Sequence, residues 1–187
     1  MITLFTGGTD SNRSIEAENF LQSLNGRKYY LATMKTDGDS RKKKVERLRK
    51  RREDKGFVTI EQETAIVKAI DKIKWMDMLL GGSDEDRILL IENIPYLAAN
   101  ELFIDKNDND GSDVVSVKEA ESTILCGLAL LQEFFKDIIV VTDPEPNLSY
   151  YGDGVTYTEE EIRMYSELMK ELNTAFSSYA GEIIRLT

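Results

Sequence analysis

Short apolar runs and longer amphipathic stretches alternate along this chain. Ile2–Phe5, Lys28–Thr33, Phe57–Ile60, Arg87–Ile91, Ile138–Thr142 and Glu182–Leu186 are brief and rich in β-branched and aromatic residues. Such runs predict strands. The stretches Ser14–Leu24, Asp39–Glu53, Glu63–Leu80, Pro95–Phe103, Val117–Phe135 and Glu159–Ala180 lie between or beside them and predict helices. The alternation predicts an α/β fold, a mostly parallel sheet flanked by helices. Local chemistry marks several boundaries. Ser116 with Glu119, and Thr158 with Glu161, read as capping boxes. Pro95 suits a first helical turn. Gly81-Gly82-Ser83 ends a helix, and Asp143-Pro144-Glu145-Pro146 breaks the chain after a strand. In open α/β sheets ligands sit beyond such carboxyl ends of strands.

The length of 187 residues predicts a single domain, 1–187, and 41% hydrophobic residues supply its core. No apolar run reaches the ~20 residues of a membrane span, and the chain opens without the charged and apolar regions of a secretory signal. The expectation is a cytoplasmic protein that does not engage a membrane. A lone cysteine, Cys126, excludes an internal disulfide framework. It lies in the apolar run Ile124–Leu131 and reads as core, as do Trp75 and Met76–Leu80.

There is no histidine in the sequence. That removes the commonest general base near neutral pH and the commonest metal ligand, and with them Ser-His and Cys-His nucleophile pairs. The net charge of −10 is uneven. Residues 41–52 hold nine basic residues and one acid, net +8, which leaves −18 for the rest. An acidic body repels nucleic-acid backbone. The basic segment is better matched to the protein's own acidic surface or to a nucleotide than to nucleic acid.

The candidate chemistry begins at the first strand. Gly7-Gly8-Thr9-Asp10-Ser11-Asn12-Arg13-Ser14 directly follows Ile2–Phe5 and precedes a helical stretch. This is the strand–loop–helix setting of a phosphate-binding P-loop, G-x-x-x-x-G-K-[ST]. In such loops backbone N–H groups and the helix N-terminus hold phosphate oxygens. Gly7 and Ser14 meet the pattern, whereas Asn12 replaces its second glycine and Arg13 its lysine. Asparagine tolerates left-handed backbone, so Asn12 can keep the turn. Arginine is longer, planar and forked, so Arg13 is not a conservative replacement. Ser14 retains the hydroxyl that such loops place on Mg²⁺. An ordinary glycine-containing turn is the plainer alternative.

Asp105–Asp113 has the composition of a calcium loop in the wrong register, with Lys106 at the first ligand position and Val117 at the twelfth. It reads as a polar surface loop. Tyr150 and Tyr151 read as loop packing, with base stacking as the alternative.

Taken in order, these landmarks resemble the adenosylcobinamide kinase / adenosylcobinamide-phosphate guanylyltransferase family. The family opens with a strand and Gly-Gly-x-x-Ser-Gly-Lys-Ser, of which Gly7, Gly8, Ser11 and Ser14 remain. Its Ala-Glu pair matches Ala17-Glu18, and its Tyr-Ile-Ala-Thr strand matches Tyr30–Thr33. Its basic helix matches Arg47–Arg52, and its aromatic-x-Thr-x-Glu matches Phe57–Glu61. Leu89–Glu92, Asn100, Ile139–Asp143 and the set Arg163, Tyr165, Glu167, Leu172 and Asn173 match further family positions in order. The resemblance implies a P-loop NTPase-like fold, GTP or ATP with Mg²⁺, a corrinoid-like small-molecule partner and a homo-oligomer. It implies a phosphate cradle at Gly7–Ser14, a catalytic part for Arg13 and Glu92, and a metal site at Ser14 and Glu92. The family phosphorylates the aminopropanol hydroxyl of adenosylcobinamide, then transfers GMP through a histidine. That histidine falls on Leu48 or Arg49, neither of which can form the phosphoramidate. The family's Asn-Glu-Val-Gly-x-Gly-Ile-Val-Pro loop is also replaced, by Asp143–Gly154.

Two functions follow. One is a divergent nucleotide-binding member that retains phosphoryl transfer but not guanylyl transfer. The other is a catalytically degenerate P-loop-fold protein acting as a binding or assembly module.

Overall fold

The structure is a computed structural model that describes residues 1–8, 11–35, 39–81, 86–103, 115–148 and 156–187, with the side chains of residues 39–41, 44, 51 and 53 excepted. Among the described residues six strands form one sheet: β1 (Ile2–Gly7), β2 (Arg27–Ala32), β3 (Val58–Glu61), β4 (Arg87–Glu92), β5 (Asp137–Thr142) and β6 (Glu182–Leu186). Their order is β3-β2-β4-β5-β1-β6, and every pairing is parallel. Parallel neighbours need long crossovers. These are carried by α1 (Arg13–Ser23), α2 (Asp39–Arg52), α3 (Ala69–Leu79), α4 (Ile94–Leu102), α5 (Val117–Gln132) and α6 (Glu159–Tyr179).

The central strands read as near-continuous apolar runs because both faces of the sheet are covered. Leu89, Ile91, Ile138 and Val140 point into the larger core with residues of α3, α4, α5 and α6. Ile88, Leu90, Ile139 and Val141 point the other way and pack with Ala17 and Leu21 of α1. The α/β fold with a parallel sheet between helices is therefore observed, and each strand lies within two residues of its predicted bounds.

Several expectations change. The stretch predicted as one helix over Glu63–Leu80 is a 3₁₀ turn, Ile66–Lys68, followed by α3. Ala65 stands before the turn in left-handed backbone, φ 46°, with its N–H bound by the Glu101 carboxylate. Cys126 is exposed rather than core. The buried face of α5 runs through Ala120, Ile124, Gly127, Leu128 and Leu131, and Cys126 lies off that stripe. Trp75 is also exposed, at 58%, with Met78, Leu79 and Leu80. In α3 the inward face is Ala69, Ile70, Ile73 and Asp77, so an acid takes the core-facing position and the large apolar residues face out. Thr158 and Glu161 form the complete capping box, whereas at Ser116 the hydroxyl accepts from the Glu119 N–H. The Asp105–Asp113 loop and the pair Tyr150 and Tyr151 lie outside the described residues.

Candidate functional site

Because all six strands run the same way, their carboxyl ends share one edge of the sheet. Gly7, Glu61, Glu92 and the residue after β5, Asp143, are brought to that edge. The predicted site residues meet there, apart from Thr9 and Asp10, which lie outside the described residues.

The turn from β1 into α1 is tight at its start. A Cβ on Gly7 would stand 2.5 Å from Ser11 Oγ and 2.6 Å from the Leu186 carbonyl, so only glycine fits. A Cβ on Gly8, by contrast, would meet nothing within 4 Å among the described residues. Ser11 closes the turn, its N–H and hydroxyl both donating to the Gly8 carbonyl, at 3.1 and 2.7 Å. Asn12 is left-handed, φ 53° and ψ 18°, and its carbonyl accepts from Ile15 and Glu16 to begin α1. The asparagine in the second glycine position thus keeps the backbone conformation that glycine would supply.

Arg13 turns back over this loop. Its Nη1 donates to the Gly7 carbonyl at 2.7 Å and to the Gly8 carbonyl, while Nη2 meets Asp143 Oδ2 at 3.0 Å. The pair is well buried. Asp143 is held in turn: its Oδ1 accepts from the Glu145 N–H at 3.0 Å, and its carbonyl accepts from Asn173 Nδ2 at 2.9 Å. Asn173 Oδ1 accepts the Thr142 hydroxyl at 2.7 Å. The last turns of the chain therefore help fix the guanidinium that covers the loop.

A second buried cluster lies at the end of β4. Glu92 Oε2 accepts from both the Tyr30 hydroxyl and Arg52 Nη2. Arg52 Nε donates to Glu18 Oε1 at 2.8 Å, and Lys55 Nζ reaches Glu18 Oε2 at 2.6 Å. The Arg52 guanidinium also stacks over the Tyr30 ring, 3.8 Å from its centroid. Burial, then the adjacent Glu92 charge, pushes the Tyr30 phenol well up, so it stays protonated and donates.

Between these clusters and α2 lies a cavity of about 210 Å³. Ser14 and Glu92 both line it, as do Leu48 and Arg49 from the basic helix, so the residues expected for metal and histidine chemistry face one space. Arg49 pairs with Glu61, while Ser14 and Glu63 make no hydrogen bond or ion pair through their side chains among the described residues. Asn100, deep below, ties the Thr33 and Glu63 carbonyls together at 2.8 and 2.9 Å.

Glu92 and Asp143 do not fit a directly held Mg²⁺, whereas Ser14 and Glu63 line the same cavity without side-chain partners among the described residues. The metal normally takes one or two free carboxylates plus phosphate oxygens and waters. Here the Glu92 oxygen Oε2 already carries an arginine and a phenol, Asp143 is bound at both oxygens, and no cluster of three potential metal ligands occurs among the described residues. Ser14 offers a lone hydroxyl.

The sequence singles out the loop and Glu92 but not the partners they meet across the fold, Asp143 for Arg13 and Arg52 for Glu92. Glu18 and Arg52 appeared only as matches to a motif. Their pairing spans 34 residues and leaves no local spacing signal. A fully buried acid beside Ala17 on the inward face of α1 is the trace it does leave.

Comparison with known proteins gives a family match. The model of the family described as cobinamide kinase / cobinamide phosphate guanyltransferase matches residues 3–187. No curated protein matches the chain. Among solved structures it is similar to the crystal structure of the DnaC helicase loader, at 13% identity and a TM-score of 0.39, covering 100% of this chain and 78% of that one. No helix among the described residues is long and apolar enough to cross a membrane.

Proposed function

The chain belongs to the cobinamide kinase / cobinamide phosphate guanyltransferase family, and from that membership we propose that it binds GTP or ATP at the Gly7–Ser14 loop and phosphorylates a hydroxyl of a cobinamide-like acceptor. Residues 1–187 act as one P-loop-like unit in this reading. The acceptor oxygen forms a bond to the γ-phosphorus, the bond from that phosphorus to the bridging oxygen breaks, a nucleoside diphosphate leaves, and the acceptor's proton passes to water. Such transfers depend on positioning and charge stabilisation more than on covalent chemistry.

The observation that carries the reading is the loop itself. Gly7 accepts no side chain, Asn12 holds the left-handed turn, and Arg13 places a cation over the loop beside Gly8. Arg13 takes the part of the family lysine, and Ser14 turns its hydroxyl to the cavity where the acceptor would enter. Guanylyl transfer through a histidine has no counterpart, because the sequence contains none and Leu48 and Arg49 stand at that place.

A second reading is favoured by one specific feature. Arg13 and Glu92, the two charged groups proposed for catalysis, are each already neutralised from within, by Asp143 and by Arg52. That arrangement suits a protein that binds and assembles but does not turn over.

Incubation with γ-labelled GTP or ATP and cobinamide separates the two. Labelled cobinamide phosphate, lost in Arg13→Gln, supports the kinase. Nucleotide binding with no labelled product supports the silent module, and neither binding nor product refutes nucleotide recognition at the loop.

A further inference from the structure

We infer that Arg52, rather than a divalent ion, is the resident counter-cation of Glu92, so that Glu92 holds no metal when nucleotide binds. The inference rests on the nucleotide binding proposed above for its functional consequence, but not for its statement about Glu92.

Glu18 and Glu92 contribute two negative charges to a buried cluster, and Arg52 and Lys55 contribute two positive ones. Arg52 and Glu92 are 6% and 7% exposed in their side chains, and Glu18 is fully enclosed. These four groups sum to zero charge. A dication on Glu92 Oε2 would meet the Arg52 guanidinium at the same oxygen, and one on Oε1 would face it across the same carboxylate, a repulsion little screened at this depth. To admit the metal, Arg52 would have to withdraw and leave Glu18 without its Nε partner.

The geometry also explains why Arg52 stays. It ends the most basic helix of the chain and is fixed from three directions: a carboxylate on α1, a carboxylate on β4 and the ring of Tyr30 on β2. The Tyr30 hydroxyl donates to the same Glu92 oxygen. Glu92 therefore positions the basic helix over the cavity instead of holding an ion. Among the described residues, Arg13 lies over the loop and Arg49 lines the cavity.

Nucleotide affinity of the wild-type chain, measured by calorimetry with GTP and with ATP in excess Mg²⁺ or in EDTA, tests the consequence. The expected ratio of the two affinities agrees within about threefold between wild type and Glu92→Gln. A loss of tenfold or more in EDTA, abolished in Glu92→Gln, would overturn the inference. Mn²⁺ binding to the nucleotide-free chain, followed by electron paramagnetic resonance, tests the site directly. No Mn²⁺ site that depends on Glu92 is expected, and Glu92→Gln should melt lower than wild type because Arg52 loses one of its two carboxylate partners. Stoichiometric Mn²⁺ that disappears in Glu92→Gln would refute it. If neither nucleotide binds under either condition, the proposed function falls while the Mn²⁺ result still decides the role of Glu92.

Discussion

Replacing Arg52 by methionine tests the buried cluster most severely. The substitution keeps an unbranched apolar stem and removes two ion pairs and the contact with the Tyr30 ring. Removing one partner of a buried pair costs about 3–5 kcal/mol, since the surviving charge stays desolvated. Glu18 keeps Lys55 at 2.6 Å, so the loss concentrates on Glu92 and belongs at the lower end, about 3 kcal/mol. For a chain of this size that is a fall in melting temperature of roughly 6–12 °C. Urea unfolding gives the free energy directly, with the slope unchanged if the native state stays compact. The double variant Arg52→Met with Glu92→Gln removes the stranded charge as well. It should be less destabilised than the sum of the single variants, by roughly 0.5–3 kcal/mol of coupling. A cost below about 1 kcal/mol for Arg52→Met, or strict additivity in the cycle, would refute the reasoning.

Three further outcomes follow from other parts of the fold. Gly7→Ala should cost about 1–3 kcal/mol in urea unfolding, because the new methyl meets the Leu186 carbonyl across the β1–β6 pairing as well as Ser11. At the far edge of the sheet, burial alone would raise the Asp77 carboxyl, but hydrogen bonds from Tyr29, Arg87 and Arg27 outweigh it and hold it below its ordinary value. Asp77 therefore adds stability above the unfolded-state value of about 4, and that increment is lost as pH falls through the lower folded value. Melting curves from pH 7 to 2 should show it in wild type and not in Asp77→Asn. Finally, Asn12→Gly combined with Arg13→Lys restores the standard loop pattern and should raise affinity for GTP or ATP by calorimetry; unchanged affinity would mean that the loop does not cradle phosphate.

Much of the fold was legible because its signals are local. Continuous apolar runs marked the strands since both sheet faces are covered, and Asn12 took the left-handed conformation for which asparagine suits a glycine position. Amphipathic phase was the weaker guide. Trp75 and Cys126 sit in apolar surroundings in sequence, yet Asp77 and Gly127 occupy the neighbouring inward positions and turn both residues outward. Asp77 can face inward because two arginines and a tyrosine from β2 and β4 satisfy it, a compensation no short window contains. The same applies at the candidate site. Arg13 meets Asp143 across 130 residues, and Arg52 meets Glu92 across 40. The sequence showed that these charges exist, while their mutual neutralisation appeared only with the chain folded.

Thermal melting with GTP and with ATP, against a nucleotide-free control, bears most directly on the proposed nucleotide recognition. At about 100 times its dissociation constant a ligand adds roughly 2.7 kcal/mol, which is several degrees for a chain of this size. A clear rise with at least one nucleotide in the wild-type chain, reduced in Arg13→Gln, is the predicted result. No rise at millimolar GTP or ATP, in Mg²⁺ and in EDTA alike, would contradict recognition of a nucleotide at the Gly7–Ser14 loop.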